Sequence, residues 1–162
     1  PDKVTADRVR QAIFFPSNED KMPLLIGLIR EMGEGRIMVF VNMKREAERM
    51  EAYFEANGIQ AAAISGDVPQ NKRMRMLKRF QDGELQVLIG TDVASRGLHI
   101  PDVQYVINYD LPQDAEGLKN VFKAFLAEFD QIAIEQNEKQ TKEALRAIPK
   151  AKENSGAEWH VL

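Results

Sequence analysis

The sequence predicts an α/β fold, a parallel sheet flanked by helices. Three observations predict it. Residues 37–41 (IMVFV), 59–64, 85–89 and 103–108 are short apolar runs that do not alternate with polar residues, as befits strands covered on both faces. Charged or amphipathic segments of helical period separate most of these runs. Strands that alternate with helices, each crossover returning to the same edge, build parallel sheets. A length of 162 residues, 44% hydrophobic and 29% charged, suits one globular domain with at most a small appendage.

Taken in order, residues 12–15 form a short strand closed by Pro16 and Ser17. Residues 18–32 carry Met22, Leu25, Leu28, Ile29 and Met32 at helical spacing, and Gly33 and Gly35 stop the helix. Pro23 fits that helix only in its first turn, where no backbone N–H is needed. After the 37–41 strand, residues 44–57 read as a charged helix ended by Gly58. The strand 59–64, the loop 65–69 and a basic helix over 70–81 follow. Asp82-Gly83 then turns into the strand 85–89, and 103–108 is the next strand. Past Pro112 the pattern changes. Residues 114–148 read as one long helix ended by Pro149, with Leu118, Phe122, Phe125, Phe129 and Ile132 stepping by four, three, four and three. Residues 150–157 read as a polar loop and 159–162 as a last strand.

Composition removes several function classes. Without cysteine there is no disulfide, thiolate metal site or cysteine nucleophile, and a reducing, cytoplasmic setting is expected. His99 and His160 are too few for a histidine-built zinc site. No apolar run approaches the ~18 residues of a membrane span, so no membrane partner is expected. A first residue of Pro1 suggests a piece of a longer protein. The net charge of −3 does not advertise a nucleic-acid binder. Its distribution does more: Lys72, Arg73, Arg75, Lys78 and Arg79 lie between Asp67 and Asp82 with no acid among them. Such a stripe is either a phosphate footprint or a solvated helix face.

In parallel α/β sheets ligands bind beyond the C-terminal ends of the strands. Four loops emerge there: Asn42-Met43-Lys44, Ser65-Gly66-Asp67, Gly90-Thr91-Asp92 and Asn108-Tyr109-Asp110. Backbone amides at such turns suit phosphate oxygens, and Gly66 and Gly90 admit a close approach. Ordinary strand-to-helix turns have the same composition, so both readings stand at this point. Residues 90–101 (GTDVASRGLHIP) are the densest in polar chemistry. There Arg96 can reach a phosphate or pair with Asp92 at i,i+4 spacing, and His99 reads as a loop residue.

These residues carry a resemblance. Residues 87–112 (VLIGTDVASRGLHIPDVQYVINYDLP) closely resemble motif V and the following strand in the C-terminal RecA-like lobe of DEAD-box RNA helicases. Residues 37–50 (IMVFVNMKREAERM) resemble motif IV, and residues 65–83 resemble the segment holding the family's Q-x-x-R element, here Gln70 and Arg73. His99, where most of the family has aspartate, resembles the RhlB-type bacterial branch. The likeness covers residues 8–116. It implies a RecA-like sheet, and it implies that Asn42, Met43, Gly66, Asp67, Gln70, Arg73, Gly90 and Thr91 grip single-stranded RNA by its sugar-phosphate backbone. It further implies that Asp92, Arg96, Gly97 and His99 face the nucleotide cleft. Met43 stands in place of the family's threonine, which removes one hydroxyl contact to phosphate.

Two departures bear on activity. The chain has neither a G-x-x-x-x-G-K-[ST] phosphate loop nor a D-E-A-D box, which the family carries on its N-terminal RecA-like lobe. After residues 107–116 (INYDLPQDAE) the family continues into motif VI, whose arginines reach the γ-phosphate; here the chain reads Gly117-Leu118-Lys119-Asn120-Val121. The expected division is therefore a helicase core lacking motif VI over 1–116, and an unrecognised helical tail over 117–162 that completes or extends the same domain. The resemblance implies no catalytic residue, no bound metal and no cofactor held by this chain alone, although the whole family uses ATP and Mg²⁺. Expected partners are single-stranded RNA and the N-terminal lobe, and the 118–132 seam either covers its own sheet or self-associates. The alternative to an RNA-binding lobe is a recombined or engineered scaffold with no retained activity.

Overall fold

The computed structural model describes residues 11–91, 103–110, 130–134 and 159–161. The elements run β1 (Gln11–Phe14), α1 (Asn18–Met32), β2 (Ile37–Phe40), α2 (Lys44–Ala56), β3 (Ala61–Ile64), α3 (Gln70–Gln81), β4 (Val87–Gly90), β5 (Tyr105–Asn108), β6 (Asp130–Ile134) and β7 (Trp159–Val161). The strands form one seven-stranded sheet in the order β3-β4-β2-β5-β6-β1-β7. Every pairing is parallel. The α/β class is therefore as the sequence predicts, with strands one or two residues shorter than several of the apolar runs.

Chain direction decides which face each helix covers. The steps β1 to β2 and β2 to β3 move the same way across the sheet, and β3 to β4 reverses. Right-handed crossovers then put α1 and α2 on one face and α3 on the other. Packing agrees. Leu25, Ile26 and Ile29 of α1 join Ala47, Met50 and Phe54 of α2 over Ile37, Val39, Val87, Ile89 and Ile107. Leu77 and Phe80 of α3 are buried outside that cluster, as are Met38, Phe40, Leu88 and Val106 on the alternate strand positions. Burial of an aromatic such as Phe54 contributes about 1.5–3 kcal/mol.

The helix ends follow from particular residues. Ser17 caps α1, its hydroxyl oxygen accepting from the Asp20 amide at 3.3 Å. The end of α2 is a Schellman motif. The Ile59 amide donates to the Phe54 carbonyl at 2.9 Å, the Gly58 amide donates to Glu55 at 3.0 Å, and Gly58 takes φ +75°. Ile59 and Phe54, both buried, supply the hydrophobic contact that accompanies this cap.

Two expectations are corrected. Pro23 lies in the second turn of α1, beyond the first-turn limit. It is exposed, so water can satisfy the Glu19 carbonyl that the missing N–H would have bonded. The expected single helix over 114–148 does not hold at its middle, because Asp130–Ile134 is a strand; the rest of that span lies outside the described residues. β6 fills the slot between β5 and β1, with Ile132 opposite Ile107 and Ala12. An empty slot there would leave two rows of backbone groups unpaired, and that cost overrides the heptad-like spacing. Ile132 therefore belongs to the sheet and not to a 118–132 helical seam; Leu118, Phe122, Phe125 and Phe129 lie outside the described residues. β7 is an edge strand on β1, where a strand over 159–162 was expected.

Candidate nucleic-acid interface

Because all strands are parallel, their C-terminal ends share one rim. Four of them end level. Ile64 pairs with Gly90, Gly90 with Phe40, and Phe40 with Asn108. The four loops singled out in the sequence therefore leave the sheet side by side, in the order Gly66-Asp67, Gly90-Thr91, Asn42-Met43 and Asn108-Tyr109-Asp110. Gln70 and Arg73 open α3, directly after the first of these loops. Asn42, Met43, Gly66, Asp67 and Gln70 are exposed, Arg73 and Thr91 are half-buried, and Gly90 is buried. Asp92, Arg96, Gly97 and His99 lie outside the described residues.

Neighbouring strands hold the rim. The Val41 amide donates to the Gly90 carbonyl at 3.0 Å, and the Tyr109 amide donates to the Phe40 carbonyl at 3.0 Å. A Cβ on Gly90 would lie 3.2 Å from the Met38 methyl and 3.3 Å from the Ile64 carbonyl oxygen, so this loop starts where the backbones are close-packed. Asn108 is fully buried, and among the described residues neither its Oδ1 nor its Nδ2 has a hydrogen-bond partner.

Two ion pairs tie the loops together. Lys44, at the start of α2, bonds the Asp67 carboxylate across the gap between the β2 and β3 exits and lies 3.7 Å from Glu48. The hydrogen bond from Asp67, then its charge, holds the Lys44 ammonium protonated to higher pH than an ordinary lysine. On the other side, Asp110 Oδ2 accepts the Asn42 amide at 3.2 Å, and Asp110 Oδ1 lies 3.2 Å from Lys21 Nζ. That ammonium also sits 4.2 Å from the centroid of the Tyr109 ring. Burial above all, then the charges of Glu46 and Asp110, pushes the Tyr109 phenol up to about 12.

The structure brings together all eight residues assigned to RNA contact. The sequence places Lys44 and Asp110 in rim loops but gives neither a supporting role, and it does not mark Lys21 at all. Lys21 lies 89 positions from Asp110, and nothing local marks the pair. The arrangement offers backbone amides, a cation and small polar side chains along one edge, a surface suited to a chain of phosphates.

The sequence pattern of the helicase conserved C-terminal domain matches residues 20–143. The chain belongs to that family. Within it, this helicase lobe is the C-terminal lobe of a DEAD-box RNA helicase, close to RhlB. It is 54% identical over 115 residues to the ATP-dependent RNA helicase RhlB of Xanthomonas axonopodis pv. citri, covering 71% of the chain and 20% of the relative. To RhlB of Pseudoalteromonas atlantica it is 47% identical over 116 residues, covering 72% and 28%. The lobe thus spans between a fifth and a little over a quarter of these relatives' length. Among solved structures, S. cerevisiae Dbp5 bound to RNA and ADP BeF3 superposes with a TM-score of 0.78 at 26% identity, over 96% of this chain and 42% of that one. The E. coli DEAD-box protein SrmB bound to RraA gives 0.80 at 24% identity, over 95% and 90%, which is a likeness of fold. The family pattern runs past residue 116, to residue 143.

Proposed function

We propose that this lobe is the RNA-gripping half of an ATP-dependent RNA helicase of the cytoplasm. It binds single-stranded RNA by its backbone, and it hydrolyses ATP only with an N-terminal RecA-like lobe closed on it. One observation carries the reading: four parallel strands end in register, so Gly66, Gly90-Thr91 and Asn42-Met43 form one continuous row beside Gln70 and Arg73. Exposed amides and cations in such a row hold phosphates without reading bases. The RNA named in the Dbp5 structure supports the same class of ligand.

ATP and Mg²⁺ belong to the whole enzyme. Among the described residues no group of three or more His, Asp or Glu side chains could hold a metal ion. In this reading the residues of the rim bind and orient RNA.

Fluorescence anisotropy with a short oligouridylate tests the reading. Binding should be salt-dependent, and Gln70→Ala with Arg73→Ala should weaken it several-fold and flatten the salt slope, while ATP turnover by the lobe alone stays at background. Absence of binding at low salt would overturn the reading. It would favour the second one, a recombined scaffold that keeps the fold without the activity, a reading prompted by the lack of motif VI arginines after residue 116.

A further inference from the structure

The basic stripe of α3 is only partly used by the rim. Arg73 turns partly inward, while Leu77 and Phe80 anchor the helix. Lys72, Arg75 and Lys78 are exposed and follow one another at intervals of three, one ridge of the helix surface. They carry no ion pair among the described residues. Their neighbour Arg79, by contrast, pairs with Glu84 at 3.2 Å, and α3 holds no acidic residue at all.

Direction matters as much as charge. α3 begins just past the C-terminal end of β3, at the rim, and runs back toward the start of β4. The ridge therefore starts beside Gly66-Asp67 and leads away from the rim over the six helical steps from Lys72 to Lys78, about 9 Å at helical rise. A row of unpaired cations continuous with a phosphate-binding edge lengthens the path a polyanion can follow.

We infer that Lys72, Arg75 and Lys78 form an auxiliary phosphate track that holds the RNA strand where it leaves the rim, so that the lobe binds long single strands more tightly than short ones. This rests on the rim reading above and adds to it the length of RNA engaged. Continuity with the rim favours RNA over an acidic protein segment as the occupant, since a protein partner would have no reason to share that edge.

The test compares oligouridylates of about 6 and about 16 nucleotides, within the range of single-strand site sizes. The proteins are the wild type and the triple variant Lys72→Ala, Arg75→Ala, Lys78→Ala. For the longer strand, the wild-type salt slope should exceed the variant's by about 2, since each neutralised phosphate on a single strand contributes about 0.7. That corresponds to about 20-fold more affinity lost by the wild type between about 50 and 200 mM salt. The shorter strand should bind both proteins alike. A charge-conserving triple, Lys72→Arg, Arg75→Lys, Lys78→Arg, should restore the long-strand advantage, which separates lost charge from lost fold. Equal long-strand affinity and slope in wild type and alanine triple would overturn the inference, leave the rim reading standing, and assign the ridge to a partner other than RNA. Failure of the wild type to bind either strand would overturn the rim reading and this inference with it.

Discussion

Lys21 and Asp110 join the two ends of the described core: the ammonium near the start of α1 lies 3.2 Å from a carboxylate just past β5. The lysine side chain is 11% exposed and the aspartate 25%. The same carboxylate accepts the Asn42 amide, so one charge fixes the helix, the strand exit and a rim loop together.

Removing that carboxylate should be costly. Asp110→Ala leaves a largely buried ammonium without its anion and the Asn42 amide without its acceptor, and should destabilise the fold by about 1–3 kcal/mol. Lys21→Met keeps the packing on Tyr109 and leaves the more exposed partner unpaired, so it should cost less. Urea midpoints of the two single variants and the double variant give the coupling. Additive losses would mean that the pair does not act as a unit.

Met43 offers a gain. It is the N-cap of α2, it makes no side-chain capping bond, and it is 56% exposed. Threonine caps well, and it is the residue the DEAD-box resemblance places here. Met43→Thr should raise stability by about 1 kcal/mol in thermal or urea unfolding. It should also tighten RNA binding a few-fold by adding a hydroxyl at the rim. A gain in stability without one in affinity would separate the cap from the phosphate contact.

Tyr109 predicts an alkaline loss of stability. Its phenol titrates at about 12 in the fold, against 10.0 ordinarily, and burial is the main cause. The unfolded chain therefore releases this proton first. The contribution is complete below about pH 10 and is lost as pH rises toward 12. Unfolding midpoints between these values should fall, and Tyr109→Phe should remove that part of the fall. Absorbance titration near the phenolate band should show one tyrosine ionising late in the wild type.

Much of the fold was legible because each signal was local. The run IMVFV announces a strand covered on both faces, and α2 stops where Gly58 can take a positive φ. The basic helix at 70–81 has the observed bounds because Pro69 precedes it and Asp82-Gly83 ends it. The rim residues were legible for a similar reason: a parallel sheet sends every strand exit to one edge, so Gly66, Gly90 and Asn42 had to meet. Less legible was Asn108. It reads as one more polar turn residue, yet it is fully buried, with no partner for its amide among the described residues.

The sequence by itself determined the alternation of strands and helices, the edge where polar loops gather, and the family, through contiguous motifs that survive without any knowledge of contacts. The tertiary structure decided the rest. It made Asp130–Ile134 a strand, because the space between β5 and β1 required backbone partners on both sides, whatever its side-chain spacing suggested. It also brought Lys21 to Asp110 across 89 positions. Both outcomes depend on which distant segments become neighbours, and local periodicity carries no record of that.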